Sequence, residues 1–413
     1  MAIPPKYSVP RSRMRALLVI EKVVVVGGGG HVGLPLALVL ADSGYNSVSL
    51  DISQSTVDLI NSGTMPFFEE GAQGLLEKCL AAGSYLATTD HQTIVSADVV
   101  IVVIGTPVDE HLNPDPNSVV EAISACIPFM NSSQLVVLRS TVFPGVTARV
   151  ANLFKDRGLT PEITFCPERI LEGQALKELK KLPQIIGAST TQGAERAVSL
   201  FTSLGVETIT VSPEEAELAK LFTNVWRYIK FAAANQFWLM SNEAGLDFSR
   251  IREAITFDYP RAADLPNAGF TAGPCLFKDT MQLAAFSNNN FALGHSAMLV
   301  NEGLPLYVVS KIEEKYDLSN MTVGILGMAF KGESDDIRSS LAYKLKKILQ
   351  FKSKAVISSD PFVTIDNQLI SQEELIERSD VIVIGAPHLQ YRELKTIKPI
   401  IDIWNLLGKG NLI

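Results

Sequence analysis

This chain of 413 residues has few cysteines, no excess of positive charge and no long apolar run, and each of these absences excludes a class of protein. The four cysteines are too few and too scattered for a disulfide framework or a C-x-x-C metal site, so we expect no metal and a reducing cytoplasm. A net charge of −8 does not suit a nucleic-acid partner. Apolar runs such as residues 99–104 fall far below the roughly 18 residues of a membrane span, so we expect no membrane partner.

Length and patterning predict an α/β protein of several domains. Short Val/Ile-rich runs alternate with helical stretches from residue 22 to residue 188, as in a parallel sheet, whose strands are apolar on both faces because helices cover both. The alternation stops near residue 211 and restarts at about residue 321. We therefore predict Rossmann-like domains at residues 21–211 and 316–413. Residues 1–20 lack the apolar core of a signal peptide and predict a flexible extension.

One long helix is predicted between the two Rossmann-like domains. Ser212, Pro213 and Glu215 form a capping-box pattern at its start, and Gly245 is a natural stop. A helix of this length spans roughly 45–50 Å and offers a surface for self-association. The predicted fold class is thus α/β, with two Rossmann-like parallel-sheet domains joined by a helical central domain at residues 212–315.

A glycine-rich segment, GGGHVG at residues 28–33, follows the first predicted strand and opens an apolar helix. In this G-x-G-x-x-G pattern Gly28 permits the tight turn, Gly30 lets a pyrophosphate approach the backbone, and Gly33 lets helix and strand pack closely. Asp51 ends the next predicted strand, where a carboxylate accepts hydrogen bonds from ribose hydroxyls and repels a 2′-phosphate. We therefore predict NAD as the cofactor and not NADP; a glycine turn without a ligand is the alternative.

Gly and Thr residues also follow later predicted strands, at the edge where open parallel sheets bind ligands. They occur in the sequences Gly-Thr-Pro at residues 105–107 and Ser-Thr at residues 140–141. The predicted cofactor-binding residues are Gly28, Gly30, His31, Val32, Gly33, Asp51, Gly105, Thr106 and Thr141.

Two further features indicate chemistry. Lys220 and Asn224 lie four residues apart on the long helix, hence on one face, and could together hold a substrate oxygen; a solvated lysine beside a polar neighbour would give the same pattern. Cys275 follows a Gly-Pro turn and precedes Lys278 and Asp279, and nearby positive charge favours the reactive thiolate.

The other cysteines are weaker candidates. Cys79 and Cys126 lie within helical patterns and are typical of packing positions. Cys166 ends a predicted strand directly before Pro167 and Glu168, so it is a rival to Cys275, although a place in the wall of the site suits it better than the role of nucleophile.

Seven segments, in this order, resemble the nucleotide-sugar 6-dehydrogenases, the superfamily of UDP-glucose, UDP-N-acetylhexosamine and GDP-mannose dehydrogenases. The segments are GGGHVGLP at residues 28–35, IGTP at 104–107, RSTVFPG at 139–145, CPERILEG at 166–173, Lys220-x-x-x-Asn224, GPCLFKD at 273–279 and GMAFKGESDDIRSS at 327–340. The resemblance covers nearly the whole chain. It implies a homodimer built on the long helix.

The resemblance also implies a reaction: the C6 alcohol of a UDP-sugar is oxidised to a carboxylate, a uronic acid of the kind used in polysaccharide biosynthesis, with two NAD+ in one site. A thiolate adds to the intermediate aldehyde, and the resulting thiohemiacetal can donate a second hydride and leave a thioester for hydrolysis.

The resemblance assigns roles by motif. Cys275 is the nucleophile, Lys220 and Asn224 stabilise the developing oxyanion, and Glu168 is a candidate general base. The implied catalytic residues are Cys275, Lys220, Asn224, Glu168, Asp279 and Thr141. The implied substrate-binding residues are Glu168, Arg169, Lys220, Asn224, Arg261, Lys278, Lys331 and Arg338. Among them, Lys331 and Arg338 resemble the diphosphate and uracil contacts, and Arg261 an arginine donated across the subunit interface.

Some positions depart from the family pattern. Ala272-Gly273 stands where Gly-Gly is common, and Trp404 occupies the arginine position of a D-x-R-N motif. Arg169 and Arg227 resemble the N-acetylhexosamine branch. We therefore expect UDP-N-acetylmannosamine or UDP-N-acetylglucosamine ahead of UDP-glucose, with GDP-mannose less favoured.

Two other functions fit part of the pattern. A two-electron β-hydroxyacid dehydrogenase shares the first Rossmann domain, the long helix and the Lys-x-x-x-Asn pair, but needs neither Cys275 nor the second Rossmann domain. An inactive NAD-binding protein would keep the fold without the reaction. The number of NADH formed per substrate distinguishes these readings.

Overall fold

A computed structural model describes residues 20–106, 117–271 and 273–413 of the chain. The predicted extension, apart from residue 20, lies outside the described residues, as do Pro107 and Ala272. The chain divides into two compact units, Met1–Phe222 and Thr223–Ile413.

The described part of the first unit is built on eight strands and the helices that connect them. The strands are β1 (Lys22–Val26), β2 (Asn46–Leu50), β3 (Tyr85–Thr88), β4 (Val99–Val102), β5 (Leu135–Leu138), β6 (Glu162–Phe165), β7 (Gln184–Ala188) and β8 (Thr208–Val211). The helices are α1 (Gly33–Asp42), α2 (Gln54–Asn61), α3 (Ala72–Ala81), α4 (Ser118–Cys126), α5 (Val146–Asp156), α6 (Ala175–Glu178), α7 (Thr191–Ser203) and the start of α8 (Pro213–Glu243).

These strands form one sheet in the order β3-β2-β1-β4-β5-β6-β7-β8. Alternate side chains of β1 enter two different hydrophobic cores: Val23 and Val25 pack on one face, Val24 and Val26 on the other. Burial on both faces explains why the strands read as continuous apolar runs. The prediction of a parallel sheet holds for β1 to β6, but β7 pairs antiparallel with β6.

The second unit carries a smaller parallel sheet. Its elements are the remainder of α8, α9 (Phe248–Thr256), α10 (Pro274–Phe286), α11 (Ala292–Lys315), β9 (Thr322–Leu326), α12 (Leu341–Lys352), β10 (Ala355–Ser359), α13 (Gln372–Arg378), β11 (Val381–Ile384) and β12 (Ile400–Ile401). The strand order is β10-β9-β11-β12. Val381 and Val383 enter one core of this unit, while Ile382 and Ile384 enter another.

The long helix α8 forms as the sequence predicts and runs for 31 residues. The Ser212 hydroxyl accepts a hydrogen bond from the Glu215 N–H at 3.2 Å, and the Glu215 carboxylate accepts one from the Ser212 N–H at 2.8 Å, which completes the capping box. Gly245 follows the helix with a φ of 68°, the left-handed conformation that ends helices. The boundary between the two units falls inside α8, after Phe222.

No helix within the described residues is both long enough and apolar enough to span a membrane.

Candidate active site

The glycine turn after β1 is packed too tightly for side chains. A Cβ on Gly27 would lie 2.0 Å from the Val103 carbonyl oxygen, and a Cβ on Gly33 would lie 2.3 Å from the Gly27 carbonyl oxygen. Gly27, directly before the predicted pattern, has a φ of 77°, a left-handed conformation that favours glycine. Gly28 instead lies against Ser49, where a Cβ would come within 2.6 Å.

The opposite side of the same turn is open. A Cβ on Gly30 would approach no atom closer than the Gly27 carbonyl oxygen at 3.7 Å. The helix α1 begins at Gly33, and its N-cap residue Val32 makes no side-chain hydrogen bond to the first turn. This open glycine edge at a helix N-terminus fits the pyrophosphate of a dinucleotide.

Asp51 lies directly beyond β2 and is tied to the glycine turn. Its carboxylate accepts hydrogen bonds from the Gly29 N–H at 2.9 Å and the Ser53 N–H at 3.1 Å. A carboxylate oxygen can accept more than one hydrogen bond, so the group can also hold ribose hydroxyls. The His31 ring stacks on Phe67 with centroids 4.0 Å apart, next to this turn. The residues present therefore fit NAD.

The ends of β4 and β5 come together as the sequence predicts. The Thr106 hydroxyl donates to the Thr141 carbonyl oxygen at 2.8 Å, and the Ser140 hydroxyl accepts from the Ile104 N–H at 2.7 Å. Gly105 lies between these two contacts. The loop after β5 thus carries Thr141 at the edge of the sheet where the glycine turn also lies.

Glu168 follows β6 and is held from two sides. Its carboxylate pairs with Arg139, a buried side chain that also donates to the Cys166 carbonyl oxygen at 3.1 Å and to the Gln184 side chain at 2.8 Å. The second carboxylate oxygen accepts from the Arg169 N–H at 2.6 Å. The sequence analysis assigned Arg139 no role, although it begins the RSTVFPG segment. It orients the carboxylate that the resemblance makes a general base.

The four cysteines differ sharply in exposure. Cys275 is exposed, while Cys79, Cys126 and Cys166 are buried. Burial raises the pKa of Cys166 to about 12 and that of Cys126 to about 11, which disfavours their thiolates. Cys166 therefore suits a place in the wall of the site.

Lys220 and Asn224 are both buried on α8, at 7% and 5% exposure. The alternative interpretation, in which Lys220 is a solvated surface lysine, is therefore wrong. The Asn224 amide donates to the Asp279 carboxylate at 2.6 Å. Asp279 is itself fully buried, and the Lys278 ammonium lies 3.6 Å from its other oxygen. The second unit thus brings residues of two motifs together: Asn224 of the Lys-x-x-x-Asn pair, and Lys278 and Asp279 of the GPCLFKD segment.

Cys275 is the second residue of α10, one helical turn before Asp279. A thiol at a helix N-terminus is stabilised as thiolate by the helix dipole. Gly273, just before the helix, has a φ of 116°, and a Cβ there would lie 2.8 Å from the Phe330 ring. The turn that presents Cys275 therefore requires glycine at this position.

Trp404 occupies the place of the expected arginine and packs on the segment that precedes Cys275. Its ring meets Phe270 edge to face, with centroids 6.4 Å apart, and a Cβ on Gly269 would lie 2.2 Å from the indole. The indole N–H donates to the Ile384 carbonyl oxygen at 3.2 Å. A stacking contact thus stands where the family pattern has a charged one.

A cavity of about 370 Å³ lies within the second unit, beside the start of α10. Its lining residues are Gly273, Phe277, Glu302, Ile337, Ser339, Ser340, Leu341, Tyr343, Lys344 and Lys347. Lys344 and Lys347, three residues apart on one face of α12, were missed by the sequence analysis; their spacing on a helix was the available signal.

The substrate residues expected from the C-terminal motif are not among the lining residues. Arg338 forms an ion pair with Asp336 at 2.6 Å, and the Lys331 ammonium lies 5.8 Å from the Phe330 ring centre. Arg261, in the central region, is exposed and lies over the Tyr259 ring at 5.9 Å.

Three parts of the chain match the family profiles. Residues 21–205 match the NAD binding domain of the UDP-glucose/GDP-mannose dehydrogenase family, residues 214–303 its central domain, and residues 324–409 its UDP binding domain. The segments that carry the cofactor, thiol and nucleotide motifs thus fall in three successive matches.

Individual proteins are similar over nearly the full chain. The UDP-N-acetyl-D-mannosamine dehydrogenase of Pyrococcus horikoshii is 30% identical over 94% of this chain and 92% of its own length. A solved structure of UDP-D-ManNAc dehydrogenase from the same organism superposes with a TM-score of 0.87, at 29% identity, covering 93% of this chain and 96% of that one. A UDP-glucose dehydrogenase structure from Pyrobaculum islandicum also gives 0.87, at 26% identity over 96% and 95%.

These similarities confirm the predicted fold class, the NAD cofactor and an oxidoreductase acting on a CH–OH group. The family relationship that seven sequence motifs indicated is likewise confirmed. The chain belongs to the UDP-glucose/GDP-mannose dehydrogenase family.

Proposed function

We propose that this protein oxidises the C6 hydroxyl of a UDP-N-acetylhexosamine to a carboxylate in two NAD-dependent steps. The observation that carries the proposal is the exposed Cys275 thiol at the start of α10. One turn further along this helix lies Asp279, whose buried carboxylate accepts a hydrogen bond from the Asn224 amide. The similarity to UDP-N-acetyl-D-mannosamine dehydrogenases supports UDP-N-acetylmannosamine as the first substrate to test, followed by UDP-N-acetylglucosamine.

The first step is an alcohol oxidation, for which bound NAD+ supplies the hydride acceptor. The C6 hydroxyl loses its proton to Glu168, directly or through a water held by Thr141. The Lys220 ammonium and the Asn224 amide stabilise the negative charge that develops on the oxygen. Because both side chains are buried, their interaction with that charge is less screened than it would be in water.

The second step makes the aldehyde oxidisable again. The Cys275 thiolate forms an S–C bond to the aldehyde carbon, and the oxygen takes up a proton. The thiohemiacetal carbon then gives up its hydride, for which a second NAD+ would be the acceptor, and its hydroxyl loses a proton to solvent, which leaves a thioester. Water attacks the thioester, the C–S bond breaks, and the products are the carboxylate and the regenerated thiol. Asp279, one turn from Cys275, positions that water.

The nucleotide portion of the substrate is assigned to the second unit, whose residues 324–409 match a UDP binding domain. We assign Lys331 to the diphosphate, together with the cavity lined by Ser339, Lys344 and Lys347. Cations and hydroxyl groups suit phosphate oxygens. Arg338 is assigned to the uracil side, and Arg169, Lys278 and Arg261 to the sugar.

The whole chain is assigned three parts: an NAD domain at residues 21–211, a central domain at 212–315 and a nucleotide domain at 316–413. We further propose a homodimer formed through α8, with Arg261 reaching the partner's substrate. Cys79, Cys126 and Cys166 remain buried thiols, which suits a reducing compartment, and the cytoplasm is the proposed location.

The test is to incubate the purified protein with NAD+ and, separately, UDP-N-acetylmannosamine, UDP-N-acetylglucosamine, UDP-glucose and GDP-mannose. We expect two NADH per sugar from one of the first two. Cys275→Ser should lose steady turnover and form at most one NADH per site. Cys79→Ser, a matched change at a buried thiol, should retain turnover.

Other outcomes would point elsewhere. One NADH per sugar together with a fully active Cys275→Ser would support the two-electron dehydrogenase. Binding of NAD+ and UDP-sugar without any NADH would support the inactive binding protein. Two NADH from UDP-glucose alone would keep the reaction and change the substrate.

A further inference from the structure

A histidine and an aspartate form a fully buried pair in the second unit. The side chains of His388 and Asp360 are both 0% exposed, and the His388 Nε2 lies 3.0 Å from an Asp360 carboxylate oxygen. The imidazole is packed between Phe362 and Tyr391, at ring-centre distances of 5.0 and 5.5 Å. Neither residue belongs to a motif discussed above.

The hydrogen bonds of His388 fix its tautomer. The Glu333 N–H donates to the His388 Nδ1 at 2.9 Å, so Nδ1 is the acceptor and the ring proton is on Nε2, from which it is donated to Asp360. The ring is thus neutral and bonded on both sides.

Asp360 holds the other end of the same turn. One of its oxygens accepts from the Met328 N–H at 2.6 Å and the Ala329 N–H at 3.0 Å. The pair therefore binds residues 328–329 through Asp360 and residue 333 through His388. Lys331 lies midway between these two anchors.

The conformation of this turn is unfavourable by itself. Glu333 has a φ of 54°, a left-handed conformation that is unfavourable for a residue other than glycine. Gly332 passes so close to Pro387 that a Cβ would lie 2.5 Å from the Pro387 carbonyl oxygen. The Glu333 carboxylate in turn accepts from the Leu389 N–H at 2.8 Å, next to His388.

We propose that His388 is a positioning residue: with Asp360 it fixes the turn at residues 328–333 so that Lys331 meets the diphosphate of the UDP-sugar. The inference rests on the proposed function, in which Lys331 is a diphosphate contact. It adds a residue that touches no substrate and acts through the turn.

Two substitutions separate the two bonds of the imidazole. In His388→Asn the shorter amide can replace Nδ1 as acceptor for the Glu333 N–H but does not reach Asp360. In His388→Gln the longer amide can donate to Asp360 but leaves the Glu333 N–H without an acceptor. Each variant loses one buried hydrogen bond, and we expect each to weaken UDP binding roughly tenfold.

The measurement is the Kd of UDP by isothermal titration calorimetry, without NAD or sugar. The Kd of NAD+ should be unchanged, because its glycine turn and Asp51 lie in the first unit. Turnover should show a raised KM for the UDP-sugar with a nearly unchanged kcat. His295→Asn, a half-buried histidine on α11, is the matched control and should bind UDP normally.

A double variant tests whether His388 acts through Lys331. Lys331→Ala alone should weaken UDP binding, and adding His388→Asn to it should cost little more. The inference would be overturned if the two substitutions weakened UDP binding independently, so that the double variant lost the product of the two factors. It would also be overturned by normal UDP affinity in Lys331→Ala or in both His388 variants.

Gly332→Ala provides a route that leaves the buried pair intact. It should disturb the turn through the clash with Pro387 and weaken UDP binding in the same way, even if the His388 variants fold poorly; normal affinity in this variant would also overturn the inference. A wild-type protein that does not bind UDP would overturn the proposed function instead.

Discussion

At the scale of single residues, burial decides which groups are able to react. Cys275 is exposed at a helix N-terminus, whereas burial raises the pKa of Cys79, Cys126 and Cys166 above the usual value for a thiol. Only a thiolate attacks electrophiles at an appreciable rate. The position in the fold therefore separates one accessible thiol from three buried ones.

We expect one fast-reacting thiol in the native protein. At about pH 8, near the ordinary thiol pKa, a disulfide reagent such as DTNB should label Cys275 in the native state and all four cysteines after denaturation. The count is read from absorbance and the site from peptide mass. Cys275→Ser should abolish the native reaction, and rapid labelling of that variant would contradict the assignment.

The contribution of the buried His388–Asp360 pair to stability depends on pH through the Asp360 carboxyl group. Burial would raise the pKa of this carboxyl, but the hydrogen bonds from His388 and from backbone N–H groups outweigh it, so the pKa lies below its usual value. A group with a lowered pKa stabilises the fold above its unfolded-state pKa and loses that contribution as the pH falls through the folded-state pKa.

The stability difference between wild type and Asp360→Asn should therefore depend on pH. We expect the gap in thermal midpoint to be widest near neutrality and to narrow as the pH falls below about 4, where the unfolded chain is protonated first and the folded carboxyl, with its lower pKa, is protonated afterwards. Asp258→Asn, at an exposed position, is the control and should follow wild type throughout. A gap that stays constant from neutral to acid pH would contradict the assignment.

The sequence indicated a role for a residue where the residues of a motif lie close together in the chain. The fingerprint indicated the glycine turn but not that its left-handed residue is Gly27, because only the fold shows which of four consecutive glycines faces Val103. Asp360 and His388 could not be found, since each bonds to residues distant in sequence.

At the scale of elements, α8 also secures its neighbour α5. The Glu217 carboxylate, 1% exposed, accepts from the Gly145 N–H at 2.7 Å and from the Thr147 N–H and hydroxyl at 2.8 and 2.6 Å. The helix α5 has no side-chain cap of its own, so this carboxylate satisfies its N-terminus. Glu217 thereby fixes the end of the loop that begins with Thr141.

Glu217→Gln should destabilise the first unit. The amide replaces one acceptor by a donor facing a buried N–H, at a cost of about 2 kcal/mol. For a unit of this size the thermal midpoint should fall roughly 4–8 °C. Glu214→Gln changes an exposed residue of the same helical turn and should have little effect. An equal midpoint for both variants would contradict the capping role.

The sequence predicted those strands that are buried on both faces, because they appear as uninterrupted runs of apolar residues. The strands β3 and β8 went unpredicted because each exposes part of its side chains, with Leu86 49% and Ile209 55% exposed. The antiparallel pairing of β6 and β7 is set by the direction of the chain between them, which hydrophobic patterning does not record.

At the scale of the whole molecule, α8 exposes a stripe of large apolar side chains. Phe222, Trp226, Phe237 and Met240 are 52%, 57%, 46% and 62% exposed. At 100° per residue they fall within about 60° of one another around the helix. A face of this kind is typical of a protein–protein interface, which supports the proposed dimer.

Light scattering should give about twice the chain mass of 44.9 kDa. Replacing Trp226 and Phe237 by serine should shift the protein toward monomer, because both side chains belong to the stripe. Phe351→Ser, at a position 91% exposed on α12, is the control and should remain dimeric. A monodisperse, active wild-type monomer would defeat the proposed dimer.

The position of the boundary inside α8 has a consequence for how this protein can be divided or recombined. Where modules meet in a loop, each can be exchanged without regard to register. Here Lys220 belongs to one unit and Asn224 to the other, so fragments cut after Phe222 would each carry one residue of the proposed oxyanion pair. One residue inserted between them would turn Asn224 by about 100° around the helix axis. The number of residues in α8 therefore fixes the angle between Lys220 and Asn224, and chimaeras between relatives must preserve that number.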